Sequence, residues 1–358
     1  MLLTTETEKR SKLKINKPLV YEKVIKYEDK IANNESAAMI VLNYDYVCNF
    51  RCNHCSSNNL MIRDLNDKKL KANKKYLTPE IVKDIYEQGD KLGFAHTSIS
   101  GGEPLLYSAL DNVIKAINPD KWWIAIDTNG WFLNVDKAKY LKSIGVDKIQ
   151  ISLDSFIEKE HDTFRNKSGA YSRVMYAIDS AKKADLSVLI MTTVWKDRVK
   201  SQELLDLLKF TKSKEISTYI TLAKPIGSWA GNLDVLCGDE EISYIKELEK
   251  QYDLTTRFSS RYGLDLGCIA MKRSITITKY GDVMPCPYIQ TSVGNIFDEP
   301  LSDIMNRGLG IKYFSFKNKY TCLSGNKDFE FVKKYMPKIW TSKDPIKHDL
   351  VFDKEDYE

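Results

Sequence analysis

The segment Cys48-Asn49-Phe50-Arg51-Cys52-Asn53-His54-Cys55 constrains this chain more than any other. It places three cysteines within eight residues, directly after the apolar run Met39-Ile40-Val41-Leu42. Gaps of three and two residues let one tight loop turn three thiolates inward toward three corners of a cubane iron–sulfur cluster, a group for which thiolate is a suitable soft ligand. One iron is then left without a protein ligand. Such an iron can take a small chelating molecule, so the loop reads as a place for chemistry and not only for electron storage. The competing readings are a zinc site and unconnected structural thiols. Structural zinc takes four ligands, usually as two close pairs, and the sequence has no second Cys-x-x-Cys to supply the other pair.

Cys48-x-x-x-Cys52-x-x-Cys55, with the ring of His54 before the last cysteine, resembles the signature loop of the radical S-adenosylmethionine enzymes. The resemblance implies a [4Fe-4S] cluster whose open iron is chelated by the amino and carboxylate groups of S-adenosylmethionine. It further implies reductive cleavage of the sulfonium to methionine and a 5'-deoxyadenosyl radical, which abstracts a hydrogen atom from substrate. A flavodoxin- or ferredoxin-type donor would supply the electron.

A chain of 358 residues can bury the core of one α/β barrel, or of a barrel plus a small domain. The 54 Lys and Arg are interspersed with 49 Asp and Glu, and the net charge of +5 is small, so no nucleic-acid partner is called for. No stretch approaches the apolar length of a spanning helix, and Met1-Leu2-Leu3-Thr4-Thr5-Glu6 opens no secretory h-region. No membrane partner and a cytoplasmic location are therefore expected. Seven cysteines, an odd number, fit metal ligation in a reducing compartment better than a disulfide framework.

Along the chain, residues 1–38 form a polar, lysine-rich extension with one short element near Leu19 to Tyr27. It is too short to be the separate peptide-binding domain that some relatives carry in front of their barrel. Leu60 to Tyr76, with Lys68-Lys69-Leu70-Lys71 and Lys74-Lys75, reads as a solvated loop or a lid over the cluster. Thr78-Pro79-Glu80 starts a helix, Thr78 being the N-cap and Pro79 the first helical residue. Short apolar runs ending near Tyr46, Ser100, Ile126, Leu153, Val194 and Leu222 then alternate with helical stretches. Repeated β/α units imply parallel strands with right-handed crossovers. The expected fold is α/β: a partial (β/α)6 barrel of the radical SAM type over 39–235, then a small α+β twitch/SPASM-like domain with a β-hairpin over 236–335, and a charged tail over 336–358.

In parallel α/β sheets functional residues gather at the carboxyl ends of the strands, and the cysteine loop follows the first strand. Ser100-Gly101-Gly102-Glu103-Pro104 follows the second. Its paired glycines allow close backbone approach, and Glu103 offers a carboxylate to a ligand ammonium. The motif resembles the family's segment for the amino group of S-adenosylmethionine. The same resemblance implies that Asn129, in Asp127-Thr128-Asn129-Gly130, faces the cofactor. It implies that Ser152 and Asp154 meet the ribose and methionyl end, and that Arg165 pairs the cofactor carboxylate. The turn Lys224-Pro225-Ile226-Gly227 would approach the adenine, and Trp122 and Trp123 read as packing residues.

Beyond an amphipathic helix over Glu240 to Tyr252 the pattern changes. Cys268, Gly281, Cys286 and Gly294-Asn295-Ile296 resemble the opening of the SPASM and twitch extensions of this family, with a hairpin turning at Gly281-Asp282. Those extensions hold auxiliary iron–sulfur clusters. The dense cysteine group that builds a second auxiliary cluster is missing, and only Cys322 remains. The resemblance therefore implies one auxiliary cluster on Cys268, Cys286 and Cys322. Cys237 is its fourth ligand, a catalytic thiol that returns a hydrogen atom to substrate, or an inert buried cysteine; an Asp side chain or the substrate itself would equally fill the fourth position. An accessory electron acceptor favours oxidation, crosslinking or epimerisation. A ribosomally made peptide is the expected substrate. The alternatives are a small-molecule dehydrogenase acting on an amino sugar or similar metabolite, and a non-catalytic iron–sulfur or zinc-binding protein.

Overall fold

A computed structural model describes residues 11–62, 64–257, 259 and 266–358. The reading of Met1–Glu6 as lacking an h-region lies outside them. Six parallel strands follow the expected alternation: β1 Met39–Asp45, β2 His96–Gly101, β3 Trp123–Thr128, β4 Lys148–Ser152, β5 Ser187–Val194 and β6 Ser217–Leu222. Period-two burial explains their packing. Ile99, Ile126, Ile149 and Ile151 are fully buried against the helices, in one cluster with Val113, Ile117 and Val174. The alternate residues Ser98, Asp127 and Gln150 form a polar set, Ser98 Oγ donating to Asp127 Oδ1 at 2.8 Å. The Thr78 cap appears as expected, accepting from Ile81 N at the start of the helix Pro79–Lys91. Trp122 is buried and packs on Tyr86.

The sheet is larger than the six strands expected. β7 Leu254–Thr256 adds in parallel beside β6. At the other edge β8 Ser274–Thr278 pairs in parallel with β1, from Met39↔Ser274 to Asn43↔Thr278, and forms the hairpin with β9 Asp282–Met284. Two short strands, β10 Thr291–Ser292 and β11 Gly294–Asn295, follow, and β11 completes one ten-stranded sheet of order β11-β9-β8-β1-β2-β3-β4-β5-β6-β7. The carboxyl-terminal hairpin thus continues the barrel sheet next to the strand that carries the cysteine loop. Alternating β-branched residues made β8 legible as a strand, but only its pairing with β1 joins the two regions.

Three peripheral segments depart from expectation. The amino-terminal region forms helices Pro18–Ile25 and Tyr27–Ala32, and its lysines reach across the amino-terminal ends of β3 and β4. Lys17 Nζ donates to Trp122 O, Gly145 O and Asp147 Oδ2, while Lys23 Nζ donates to Lys121 O and lies over the Trp122 ring. The lysine-rich insertion contains the helix Leu65–Lys71, capped by Asp64, and Lys71 is buried with its Nζ on Leu60 O and Lys343 O. The charged tail is docked: Asp344 pairs with Lys74 at 2.8 Å, β12 Ile346–Lys347 joins β10, and Asp356 is buried on Tyr335 and Lys312. Among the described residues no helix is long and apolar enough to cross a membrane.

Candidate active site

β1 delivers the cysteine loop to the carboxyl rim, and the Gly101-Gly102 turn after β2 holds it there by direct backbone contact. Gly102 N donates to Asp45 O at 3.0 Å and Glu103 N to Val47 O at 2.7 Å. A Cβ on Gly102 would stand 2.1 Å from Val47 O, and Gly101 has φ +112° with a Cβ position 2.3 Å from Asp45 O. Neither position admits a side chain. Tyr107, which carries no motif, seals the junction by donating to Asp45 O and accepting from Gly102 N. On the far side Gly227, at φ +64°, would place a Cβ 2.1 Å from Cys55 O, and Ser228 N donates to the same oxygen at 2.9 Å. The turn after β6 therefore packs on the cysteine loop itself.

Glu103 is buried and accepts from Thr128 Oγ1 at 2.7 Å, Asn129 N at 2.8 Å and Leu105 N at 3.1 Å. Pro104 follows it into a short 3-10 turn. Burial pushes the Glu103 carboxyl up to about 7 against the pull of these donors. Asn129 in turn donates from Nδ2 to Asn49 Oδ1 at 2.9 Å, so Glu103, Asn129 and the cysteine loop form one connected set.

Arg165 closes the helix Glu158–Arg165, which the sequence reading did not anticipate. Its Nε donates to Asp154 Oδ2 at 2.6 Å, its Nη1 lies 3.9 Å from Cys52 Sγ, and Asp154 Oδ1 accepts from Thr193 N. Burial pushes the Asp154 carboxyl up, but Arg165, with His54, His161 and Arg198 behind it, outweighs this and holds it below the ordinary carboxylate range. The loop also caps this helix: Asn53 donates from N to Phe164 O and from Nδ2 to Thr163 O, carbonyls of the helix's last turn. His54 stacks on Phe164 with centroids 4.0 Å apart, Phe164 stacks on Trp195, and Trp229 abuts both. This aromatic wall gave no sequence signal, because its four members come from four separate segments. Ser152 is partly exposed at the end of β4.

The three loop thiols are half-buried. Burial pushes the Cys48 and Cys52 thiols up, while Phe50 N–H at 3.4 Å from Cys48 Sγ and the Arg165 guanidinium beside Cys52 pull them back. Positive ends aimed at sulfur fit thiolates on a cluster. Among the described residues no three His, Cys, Asp or Glu side chains meet at one ion-sized point; a cubane instead asks for thiols set around separate iron atoms.

The later cysteines form a second group of thiols. Cys268, Cys286 and Cys322 are buried and act on one another electrostatically. Arg257 Nη1 lies 2.8 Å from Cys322 Sγ, and the buried Lys224 ammonium faces Cys322, Cys237 and Cys286. Burial pushes the Cys322 thiol up, yet Arg257 and Lys224 overcome this and draw it below its usual value. Cys237 shares one buried cluster with Cys322 of that trio. It sits among Val194, Leu222, Ile245 and Leu248, where burial pushes its thiol up to about 11, and the charged groups acting on it are Lys224, Glu241 and Lys196.

The chain belongs to the radical S-adenosylmethionine superfamily, which residues 43–210 match, and residues 268–326 match the SPASM iron–sulfur cluster-binding domain. It is an enzyme whose first domain implies a [4Fe-4S] cluster and S-adenosylmethionine, and whose second implies auxiliary iron–sulfur chemistry. Over 302 residues it is 22% identical to the AdoMet-dependent heme synthase of Methanosarcina barkeri, covering 76% of this chain and 83% of that protein. It is 31% identical over 184 residues to the GTP 3',8-cyclase of Clostridium perfringens, covering 50% of this chain and about half (53%) of that relative. Among solved structures, Streptococcus suis SuiB bound to S-adenosylmethionine has the same fold at 17% identity, with a TM-score of 0.62 over 92% of this chain and 81% of that one. SuiB bound to its precursor peptide SuiA has a TM-score of 0.59 at 16% identity, over 92% of this chain and 80% of that one.

Proposed function

We propose that this enzyme uses one auxiliary cluster to oxidise, crosslink or epimerise a ribosomally made peptide. The observation that carries the reading is the pair of thiol sets, one on the rim beside Glu103, Asn129 and Arg165, the other beside the two cations Arg257 and Lys224. Cys48, Cys52 and Cys55 would hold the first cluster, and Cys268, Cys286 and Cys322 the auxiliary one. When loaded, the first cluster and S-adenosylmethionine supply a 5'-deoxyadenosyl radical that takes a hydrogen atom from substrate. The chain's own part is to bind, orient and exclude water.

In this reading Glu103 accepts from the cofactor's amino group, with Gly101, Gly102 and Pro104 shaping its approach. Asn129, Ser152 and Asp154 line the nucleoside and methionyl path, Asp154 chiefly by fixing Arg165, whose free guanidinium edge takes the cofactor carboxylate. The aromatic wall of His54, Phe164, Trp195 and Trp229 keeps water from the loop. Cys237 is the candidate thiol for returning a hydrogen atom to a substrate radical. A flavodoxin- or ferredoxin-type protein would donate the electron, and an odd count of seven cysteines supports a cytoplasmic setting.

The likeness in fold to a peptide-bound relative supports the peptide substrate. The heme synthase similarity, which spans more of the chain than the cyclase match, favours a second reading in which a larger metabolite is oxidised. The test begins with iron and sulfide per chain after anaerobic reconstitution. About eight irons falling to about four in C48A/C52A/C55A supports two cubanes; zinc without sulfide would end the radical reading. Co-expression with a short peptide encoded beside the gene, read by mass spectrometry, should then show loss of two hydrogen atoms from the peptide, or deuterium uptake from heavy water. An unchanged peptide, with reductant-dependent 5'-deoxyadenosine formed only on a porphyrin or amino-sugar substrate, would favour the metabolite.

A further inference from the structure

The auxiliary thiols are accompanied by an unusual amount of positive charge. Lys224, at the carboxyl end of β6, is 5% exposed, and its Nζ donates to Leu222 O at 3.0 Å and Ala223 O at 3.1 Å, both main-chain atoms. Arg257, just past β7, brings Nη1 to 2.8 Å from Cys322 Sγ and lies 5.8 Å from the centroid of the Tyr288 ring. Among the described residues neither cation meets a carboxylate, and the acidic groups acting on both are the thiols of Cys322 and Cys286. The chain also presses the sulfur and the ammonium together: a Cβ on Gly325 would stand 2.9 Å from Cys322 Sγ and 3.3 Å from Lys224 Nζ. Buried charge persists where it is compensated. Here the compensating group is of the thiolate kind, and a cluster on three thiolates carries net negative charge that grows by one when it accepts an electron.

We propose that Lys224 and Arg257 are the counter-ions of the auxiliary cluster and raise its reduction potential, so that it accepts an electron more readily than its three thiolates alone would allow. They are positioning residues in this inference, which rests on the auxiliary-cluster reading above. One electron enters the cluster, no proton moves, and the two fixed positive charges stabilise the reduced form over the oxidised one. Net charge and hydrogen bonds to sulfur are the levers by which a protein sets such potentials. At an effective dielectric constant of about 20 and a separation of about 6 Å, one charge changes the reduced-to-oxidised ratio about a hundredfold. At 59 mV per decade for one electron, that is about 120 mV. Lys224, whose ammonium is shared between two carbonyls, is expected to contribute about tenfold, or about 60 mV.

The test uses full-length C48A/C52A/C55A protein, reconstituted anaerobically so that only the auxiliary cluster is present, and titrated with dithionite under electron paramagnetic resonance. R257Q and K224Q on this background should lower the midpoint by the amounts above, while R257K and K224R should hold it near the parent value. Loss of iron from the two charge-removing variants but not from the two charge-keeping ones would also support the counter-ion role. Midpoints within about 20 mV of the parent with full iron would overturn it, as would loss of iron from all four, which would mean that shape and not charge is required. A parent that binds no iron at all, although folded by circular dichroism, would instead sink the auxiliary-cluster reading and this inference with it.

Discussion

Gly227→Ala tests how the barrel holds its cysteine loop. Gly227 has φ +64°, a conformation that costs an L-residue about 1–2 kcal/mol. Its Cβ position also falls 2.1 Å from Cys55 O and 2.6 Å from Ser56 O, both main-chain atoms that cannot swing aside as a side chain would. Relieving that overlap requires the turn and the loop to part by about 1 Å, which breaks the Ser228 N–H to Cys55 O hydrogen bond, worth about 1 kcal/mol. The total is about 2–3 kcal/mol. Gly169 is the control, because it has φ +78° and nothing within 4 Å of its Cβ position, so Gly169→Ala carries the backbone cost alone. With an unfolding entropy of about 2.1 cal/mol/K per residue, the cofactor-free G227A protein should melt about 3–4 °C lower and G169A about 2 °C lower. Reconstituted G227A should lose iron from the amino-terminal site and form less 5'-deoxyadenosine; G169A should keep both. Equal melting shifts with full iron in G227A would refute the claim that the β6 turn braces the loop.

Asp154→Asn should be costly, about 3–5 kcal/mol in chemical denaturation, because it leaves the buried Arg165 guanidinium without its counter-charge; a loss under 1 kcal/mol would mean that Cys52 and solvent already satisfy Arg165. Glu103 makes the cofactor-free protein sensitive to pH. Its carboxyl is raised from 4.5 to about 7, so between those values the folded chain holds a proton that the unfolded chain has lost. Stability is therefore full below pH 4.5 and falls as pH rises toward 7, by about 3 kcal/mol. Melting from pH 5 to 7 should show that fall, E103Q should lack it, and parallel curves would argue against a buried carboxyl. Phe164→Ala removes the ring under His54 and should speed loss of the amino-terminal iron in air severalfold while the auxiliary iron is unaffected; equal rates would mean that the wall does not shield the loop.

The barrel was legible because its signals are local. Alternating apolar runs, the Thr78 cap and the spacing of Cys48, Cys52 and Cys55 each act within a few residues, and the β/α alternation restricts how the strands can be ordered. Gly101 to Glu103 was legible for the same reason, since a backbone that must approach another backbone asks for glycine at that point in the chain. The helix Glu158–Arg165 was missed because its first turn, Glu158-Lys159-Glu160, is wholly charged and only His161 and Arg165 are buried.

What the sequence determined by itself is the chemistry: three thiols on one loop, a carboxylate after two glycines, and a later trio of cysteines. What tertiary structure decided is who stands beside whom. That β8 joins β1, that Arg165 turns to Asp154 and Cys52, that Arg257 and Lys224 face Cys322, and that Asp356 of the charged tail packs on Lys312 all depend on residues apart in the chain. No local pattern encodes such pairs, because their free energy arises only when burial removes both partners from water and makes each the other's only available compensation.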